Sequence, residues 1–207
     1  MADPAKFWNG IAEKYARMPV RDEAAYRRKL DETQRRFRPD MQLLEVGCGT
    51  GSTAIEHAPH VARIHATDLS PRMIEIAERK AREAGIENVD FEAASLAEVA
   101  AREARYDAVL ALSVLHLVDD LDDALASIHD LLEPDGLFVS NTICLADGMN
   151  WLRPVLAVGR WIGKLPAVRF LDRDDLVRRV RGAGFELENE YRPDRRTVFL
   201  IARKTVC

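Results

Sequence analysis

Three glycines at alternate positions, Gly47, Gly49 and Gly51, follow an apolar run in the chain. Glycine has no Cβ, so such a loop can turn sharply after a strand and let a ligand approach the main chain closely. The loop therefore predicts a binding site for a nucleotide-type cofactor. Its spacing differs from the dinucleotide fingerprint G-x-G-x-x-G, which requires glycine where this chain has Ser52. This difference argues against NAD.

Alternating strand and helix patterns surround this loop. Apolar runs predict the strands, and apolar residues at helical spacing mark the segments between them. Strands separated by helices predict a parallel sheet with right-handed crossovers. The rhythm changes near the C-terminus, where two runs flank Pro193–Asp194 and predict a hairpin. The predicted strands cover residues 41–46, 63–67, 89–93, 106–112 and 137–140, and the hairpin strands cover 185–191 and 197–202.

The composition excludes several functional classes. The chain has 207 residues, of which 47% are hydrophobic, and this fits one globular domain. A net charge of −4 argues against a nucleic-acid binder, which needs surplus Lys and Arg to displace phosphate counterions. The three cysteines lack C-x-x-C spacing and predict neither disulfides nor a metal site. Because the sequence shows no apolar leader or membrane-spanning run, we expect a cytoplasmic protein.

Further motifs follow the glycine loop in a fixed order. They are Thr67–Met73, Tyr106–Val109, Val114–His116 and Leu131–Gly136. Each motif alone is weak, but the ordered set resembles the class I S-adenosylmethionine (SAM)-dependent methyltransferases over about residues 5–141. The resemblance implies an α/β, Rossmann-like fold with a seven-stranded, mostly parallel sheet, helices on both faces and a C-terminal antiparallel hairpin. It also implies SAM as the cofactor.

The resemblance assigns the methionine end of SAM to the glycine loop. SAM carries a sulfonium, a ribose, an adenine and an amino-acid tail, and it has no pyrophosphate that needs a helix N-terminus. The chain from Glu45 to Gly51 would wrap the methionine end. Backbone groups of Gly47, Cys48 and Gly49 would lie near the ligand.

The ribose and the adenine are assigned to residues after the second and third strands. Asp68 can accept both ribose hydroxyls, or it can cap the following helix. Leu69 and Met73 would pack against the adenine, although Met73 also lies on the apolar stripe of its helix and can belong to the core. Many relatives place an Asp after strand three to hold the adenine amino group. Here the Ser95 hydroxyl and the Leu96 backbone are the expected substitutes.

The acceptor is assigned to the end of the fourth strand. Methyl transfer is an in-line displacement on an activated sulfonium, so the protein contributes mainly by alignment and exclusion of water. A hydroxyl acceptor benefits from a base, and His116 is the candidate, unless it only packs at the strand end. Ser113 would lie beside the sulfonium or simply end the strand. Tyr15 is the second catalytic candidate, on an aromatic N-terminal helix that resembles the one closing over the cofactor in this family, or that only staples onto the sheet.

One methyltransferase domain over residues 1–207 is the expected organisation, with an N-terminal helical lid at 1–38 and a substrate-covering insertion at 143–171. Residues 148–170 carry basic and apolar side chains and no acidic ones. We expect this segment to cover a small-molecule acceptor that is apolar or anionic, or to touch the inner face of an anionic membrane. Ordinary packing or a dimer contact is the third interpretation.

Three functions compete at this point. The leading one is methylation of a small or lipid-like molecule. A nicotinamide-dependent oxidoreductase shares the βαβ start and Asp68, but the chain lacks its glycine spacing and a Tyr-x-x-x-Lys pair. The third is a non-catalytic SAM-binding protein or partner subunit of the same fold, because a fold does not by itself imply an activity.

Overall fold

The computed structural model describes residues 4–147 and 168–205. Within these ranges, seven strands and seven α-helices alternate for most of the chain, and a short 3₁₀ helix spans Ala58–His60. The strands are β1 (Gln42–Val46), β2 (Arg63–Asp68), β3 (Val89–Ala93), β4 (Tyr106–Leu112), β5 (Leu132–Ile143), β6 (Phe185–Tyr191) and β7 (Thr197–Lys204). The helices are α1 (Pro4–Ala16), α2 (Glu23–Gln34), α3 (Ser52–His57), α4 (Pro71–Glu83), α5 (Leu96–Ala100), α6 (Leu121–Leu131) and α7 (Arg173–Gly182).

All these strands form one sheet in the order β3-β2-β1-β4-β5-β7-β6. Strands β1 to β5 pair in parallel, and β7 lies antiparallel between β5 and β6. The predicted fold class, including the C-terminal antiparallel hairpin, is confirmed. The carboxyl ends of β1, β2 and β4 therefore meet at one edge, which is where ligands bind in open α/β sheets.

Both faces of the sheet are covered, because successive side chains of a strand point to opposite sides. Leu43 and Leu44 are neighbours in β1, yet they lie in separate buried clusters. The Leu44 cluster includes Val99 of α5, Leu125 of α6 and Leu176 of α7, and the Leu43 cluster includes Ala54 of α3 and Ile74 of α4.

Local sequence signals explain where α4, the helix that follows Asp68, begins and ends. The Ser70 hydroxyl accepts a hydrogen bond from the Met73 N–H at 3.1 Å, and Pro71 follows at the first helical position of α4. The helix stops before Gly85, whose φ of +68° is typical of a helix C-terminus. Asp172 caps α7, where its side chain accepts a hydrogen bond from the Asp175 N–H at 2.7 Å.

Strand β5 differs from its prediction. It begins at Leu132, which pairs with Tyr106, instead of at Leu137. The register shifts before the Leu137–Ala108 pair, and Asp135 between them has a φ of +63°. The residues between these two pairs therefore form an irregularity inside the strand, because pairing resumes beyond them.

The N-terminal segment, predicted as a helical lid over residues 1–38, forms two helices separated by residues 17–22. The predicted insertion lies mostly outside the described residues, which include only its ends, 143–147 and 168–171. Its covering and membrane roles therefore stay predictions. In the part of the chain that is described, no helix has the length and apolar character needed to cross a membrane.

Candidate active site

The glycine loop connects β1 to α3, and its three glycines have positive φ angles of +68°, +55° and +73°. A Cβ on Gly47 would lie 2.7 Å from Cγ2 of Val114, and a Cβ on Gly51 would lie 2.7 Å from Cβ of Ala77. The nearest atom to a Cβ on Gly49 would be Cε1 of Tyr15, at an ordinary 3.6 Å. Packing therefore requires glycine at both ends of the loop, while the middle glycine leaves room for a ligand.

Asp68 joins the end of β2 to this loop. Its carboxylate accepts hydrogen bonds from the Gly49 N–H at 3.0 Å and from the Ser70 N–H at 2.9 Å. Burial raises the pKa of Asp68, and the two N–H groups oppose that effect. A second bond, from the Cys48 N–H to the Thr67 carbonyl at 2.9 Å, ties the loop to β2. The structure therefore brings together the loop predicted to contact the methionine end of SAM and the carboxylate predicted to contact its ribose.

Leu69 and Met73 have different environments. The Leu69 side chain is 44% exposed beside Asp68, and it can pack against a flat ring. Met73 is only 1% exposed and belongs to a buried cluster with Ala12 and Ile76. Of its two predicted roles, Met73 therefore has the one in the core, because the apolar face of α4 on which it lies packs against α1.

Ser95 caps α5, a short helix that was not among the predicted elements. Its hydroxyl donates to the Glu98 carboxylate at 2.7 Å and accepts from the Glu98 N–H at 3.1 Å, in a capping box at the start of α5. Leu96 packs partly against the core. The hydroxyl hydrogen of Ser95 is already used within the protein, and the adenine contact proposed for this pair stays a prediction.

Glu45 lies on β1 directly below the glycine loop. Its side chain is 3% exposed, and Oε2 has no hydrogen-bond partner among the residues that the structure describes. Burial raises the pKa of Glu45 to about 8. Burial, and then the nearby Glu45 and Asp68, raise the pKa of the Cys48 thiol well above its usual range. A buried carboxyl without a charge partner is suited to a cationic ligand group.

Ser113 and Asn141 form a polar pair where β4 and β5 end. The Ser113 N–H donates to the Asn141 carbonyl at 2.7 Å, and Nδ2 of Asn141 donates to Oγ of Ser113 at 3.1 Å. Ser113 is exposed with a φ of +62°, a conformation that is costly for a residue with a Cβ. Asn141 is 6% exposed, and its Oδ1 is buried without a partner in the described ranges.

Sequence reasoning missed Asn141. The available signal was a run of three polar residues, Ser140 to Thr142, directly after the apolar run 137–139. Such a run is unusual in a buried strand unless its polar groups have a partner. The pairing of β4 with β5 sets Asn141 opposite Leu112 and so places it beside Ser113.

His116 lies in the turn after β4. It is 6% exposed, Nδ1 has no partner in the described part of the molecule, and burial lowers its pKa to about 4. Its imidazole is therefore neutral at physiological pH. The Arg169 N–H donates to the His116 carbonyl at 2.7 Å, and the Arg169 guanidinium donates to the Asp119 carbonyl. Through these bonds, Arg169 in the segment before α7 fixes the turn that contains His116.

Tyr15 lies at the other side of the site, near Gly49. Its side chain is 43% exposed, and burial, followed by the charge of Asp68, raises the pKa of its phenol. A phenol with a raised pKa is a poor base at neutral pH. The structure therefore places Tyr15 with the cofactor loop and favours a covering role over its predicted catalytic one.

The chain matches the family described as "Methyltransferase domain" over residues 18–190. It is 34% identical over 103 residues to a ubiquinone biosynthesis O-methyltransferase of Methylocella silvestris; the match covers 50% of this chain and only 40% of that relative. It is 28% identical over 176 residues to the enzyme of that name from Leptothrix cholodnii, covering 80% of this chain and 74% of that relative.

Two solved structures have the same fold. The DhpI complex with S-adenosylhomocysteine (SAH) has a TM-score of 0.75 and 19% identity, over 98% of this chain and 95% of that one. The [4+2]-cyclase SpnF has a TM-score of 0.74 and 21% identity, over 92% of this chain and 86% of that one. The family match confirms the predicted class and, with it, SAM as the cofactor of that class. This chain therefore belongs to the methyltransferase domain family.

Proposed function

We propose that this chain transfers the methyl group of SAM to a hydroxyl of a small, largely apolar molecule. The main support is the cradle formed by the glycine loop and Asp68, in which the Gly49 N–H donates to the carboxylate at 3.0 Å. A Cβ on Gly47 or Gly51 would clash with the protein and distort this cradle, whereas Gly49 leaves its space open. The name of two relatives, ubiquinone biosynthesis O-methyltransferase, supports an oxygen acceptor on an apolar molecule.

The chain's own residues supply alignment and proton transfer. When bound, SAM supplies a methyl group already activated on a sulfonium. The Glu45 carboxyl lies where it can hold a cationic group of that ligand, and Asp68 where it can accept the ribose hydroxyls. Ser113 and Asn141 orient the acceptor hydroxyl at the ends of β4 and β5. His116, whose imidazole is neutral because burial lowers its pKa to about 4, would accept the proton of the acceptor hydroxyl at Nδ1 during transfer.

The cofactor role of Asp68 gives a direct test. Asp68→Ala is expected to weaken SAM binding about 10- to 100-fold, because the ribose hydroxyls lose a charged partner worth ~1–3 kcal/mol. Isothermal titration calorimetry measures this affinity. Asp90→Ala, on neighbouring β3, is the matched control, since that carboxylate pairs with Arg63 and lies in another part of the sheet. Equal SAM affinity for the wild type and Asp68→Ala would contradict the ribose assignment.

The proton-accepting role of His116 is tested by turnover. In a radiolabelled methyl-transfer screen of phenols, alcohols, thiols and amines, we expect phenols or alcohols to be methylated.

With the acceptor found in this screen, His116→Gln should lower kcat by roughly 10²- to 10⁴-fold with SAM affinity unchanged. Because burial lowers the pKa of His116 to about 4, the rate should show no inflection from this group near pH 6.5. Exposed His60→Gln is the control, and full activity of His116→Gln would reject the assignment.

A second candidate is a protein that binds SAM without transferring its methyl group. One specific observation favours keeping it, namely that a protein of this fold is named a [4+2]-cyclase. Calorimetric SAM binding with no methylated product from any acceptor class would support this candidate. Family membership goes against the nicotinamide-dependent oxidoreductase, and a titration with NADH checks that conclusion.

A further inference from the structure

The Asn9 side chain connects helix α1 to the first residues of α4. Oδ1 of Asn9 accepts hydrogen bonds from the Ser70 hydroxyl at 2.7 Å and from the Arg72 N–H at 3.1 Å. Ser70 is the N-cap of α4 and also donates its own N–H to Asp68. A single carboxamide oxygen thus links α1 to the residues that hold the candidate ribose carboxylate.

Further contacts extend this attachment along α1. One turn after Asn9, Glu13 pairs with the Arg72 guanidinium at 2.6 Å. On the adjacent row, Ala12 is fully buried against Met73 and Ile76. Asn9 and Glu13 are four residues apart and lie on one side of α1, and Ala12 lies next to them. These contacts together fix how α1 is aligned along α4.

This register determines where Tyr15 lies. The Tyr15 ring stands 3.6 Å from the position of a Cβ on Gly49, and it packs edge-on against Trp8 with ring centroids 6.2 Å apart. Gly49 is the residue of the loop that packing leaves open. A docked α1 therefore sets an aromatic ring beside the space for the cofactor.

Helix α1 has little stability of its own. It is 13 residues long, and isolated helices of that length are marginal in water. Gly10 in its centre lowers its helix propensity, and a Cβ there would meet no atom within 4 Å. The folded position of α1 therefore depends on its contacts with α4. Among these, the bond from Asn9 reaches Ser70, which is two residues after Asp68.

We propose that Asn9 is a positioning residue that docks α1 on the start of α4, so that Tyr15 covers the bound cofactor and cofactor binding is coupled to docking. The inference rests on the proposed cofactor site and deepens it. Coupling of this kind is reciprocal: docking strengthens cofactor binding, and the cofactor stabilises docked α1 by the same factor. Asn9 acts through Ser70 and Tyr15 and is not itself a catalytic residue.

The test compares Asn9→Ala with Asn9→Asp, using SAH as the probe. Alanine removes both hydrogen bonds but is the better helix former, so weaker binding cannot come from helix propensity. Aspartate keeps an acceptor oxygen, and a carboxylate is favourable at the N-terminus of α4. Lys14→Ala, an exposed position on the same helix, is the matched control. Calorimetry gives the SAH affinity, and hydrogen exchange of residues 4–16 reports docking.

We expect Asn9→Ala to weaken SAH binding about tenfold, the effect of losing two ordinary hydrogen bonds, and to speed exchange in α1. Asn9→Asp and Lys14→Ala should bind like the wild type, and SAH should slow exchange in α1 of the wild type. Wild-type affinity in Asn9→Ala, or Asn9→Asp as weak as Asn9→Ala, would overturn the inference while the proposed function stands. If the wild type itself does not bind SAH, the proposed function fails first.

Discussion

Glu45→Gln is expected to stabilise the ligand-free protein against unfolding and, at the same time, to weaken SAM binding. Burial raises the pKa of Glu45 from 4.5 to about 8, so the folded protein holds a proton there that the unfolded chain has released. Stability from this proton is complete below pH 4.5 and is lost as the pH rises through 8. Glutamine is neutral at every pH and avoids this loss.

The advantage of the variant should therefore grow with pH. We expect similar stabilities near pH 4.5 and an advantage of about 1 kcal/mol for each further pH unit, which levels off as the pH passes 8. Urea unfolding at several pH values measures the free energy of unfolding. SAM affinity should fall about 10- to 100-fold, because glutamine cannot ionise and so cannot become a charged partner for a cationic ligand group.

A surface carboxyl provides the control for this variant. Glu87→Gln removes the same charge at an exposed position, and SAM affinity should stay at the wild-type value. A Glu45→Gln protein whose stability follows the wild type at every pH would show that Glu45 is ionised in the empty site. Such a site would need a cation that the described residues do not provide.

Gly51→Ala is expected to destabilise the fold, whereas Gly49→Ala is expected to spare the fold and weaken SAM binding. A Cβ on Gly51 would lie 2.7 Å from Cβ of Ala77 and 2.8 Å from the Phe91 ring, and Ala77 has no flexible end that can move away. Overpacking and positive φ together should cost about 2–4 kcal/mol of unfolding free energy. The effect should appear in urea unfolding without any ligand.

Gly49→Ala places a side chain at a positive φ, which is unfavourable, but it creates no clash, since its Cβ would meet only Tyr15 at 3.6 Å. We expect a loss of about 1 kcal/mol in stability and at least a tenfold loss of SAM affinity, because the methyl group enters the space left for the ligand. Gly85→Ala is the matched control, with φ of +68° and nothing within 4 Å of its Cβ, far from the site in sequence. If Gly49→Ala binds SAM like Gly85→Ala does, the ligand does not lie against this loop.

The cofactor side of the site was largely predictable because its signals are local. The glycine spacing, the apolar run before it and Asp68 after the next strand are adjacent in sequence to the elements that position them. The same holds for the sheet, since the period of the apolar residues predicts each strand. The structure then adds the bond from the Gly49 N–H that joins loop and carboxylate.

Other features depended on distant partners. Met73 sits on an apolar stripe that could face either a ligand or a second helix, and only the docking of α1 decides for the core. Asn9 reads as a polar residue on a helix surface, and its partner Ser70 lies 61 residues away. Asn141 is an ordinary polar residue at a strand end until β4 and β5 pair beside Ser113.

By itself, the amino-acid sequence determined the family, the order of strands and helices along the chain and the position of the cofactor loop, because backbone propensity and hydrophobic period act over a few neighbouring residues. Only the tertiary structure decided which polar groups are buried without a partner, which side of α4 carries α1 and where Tyr15 lies. Those properties depend on desolvation and on contacts between segments remote in sequence, and such contacts exist only once the sheet and its helices have packed.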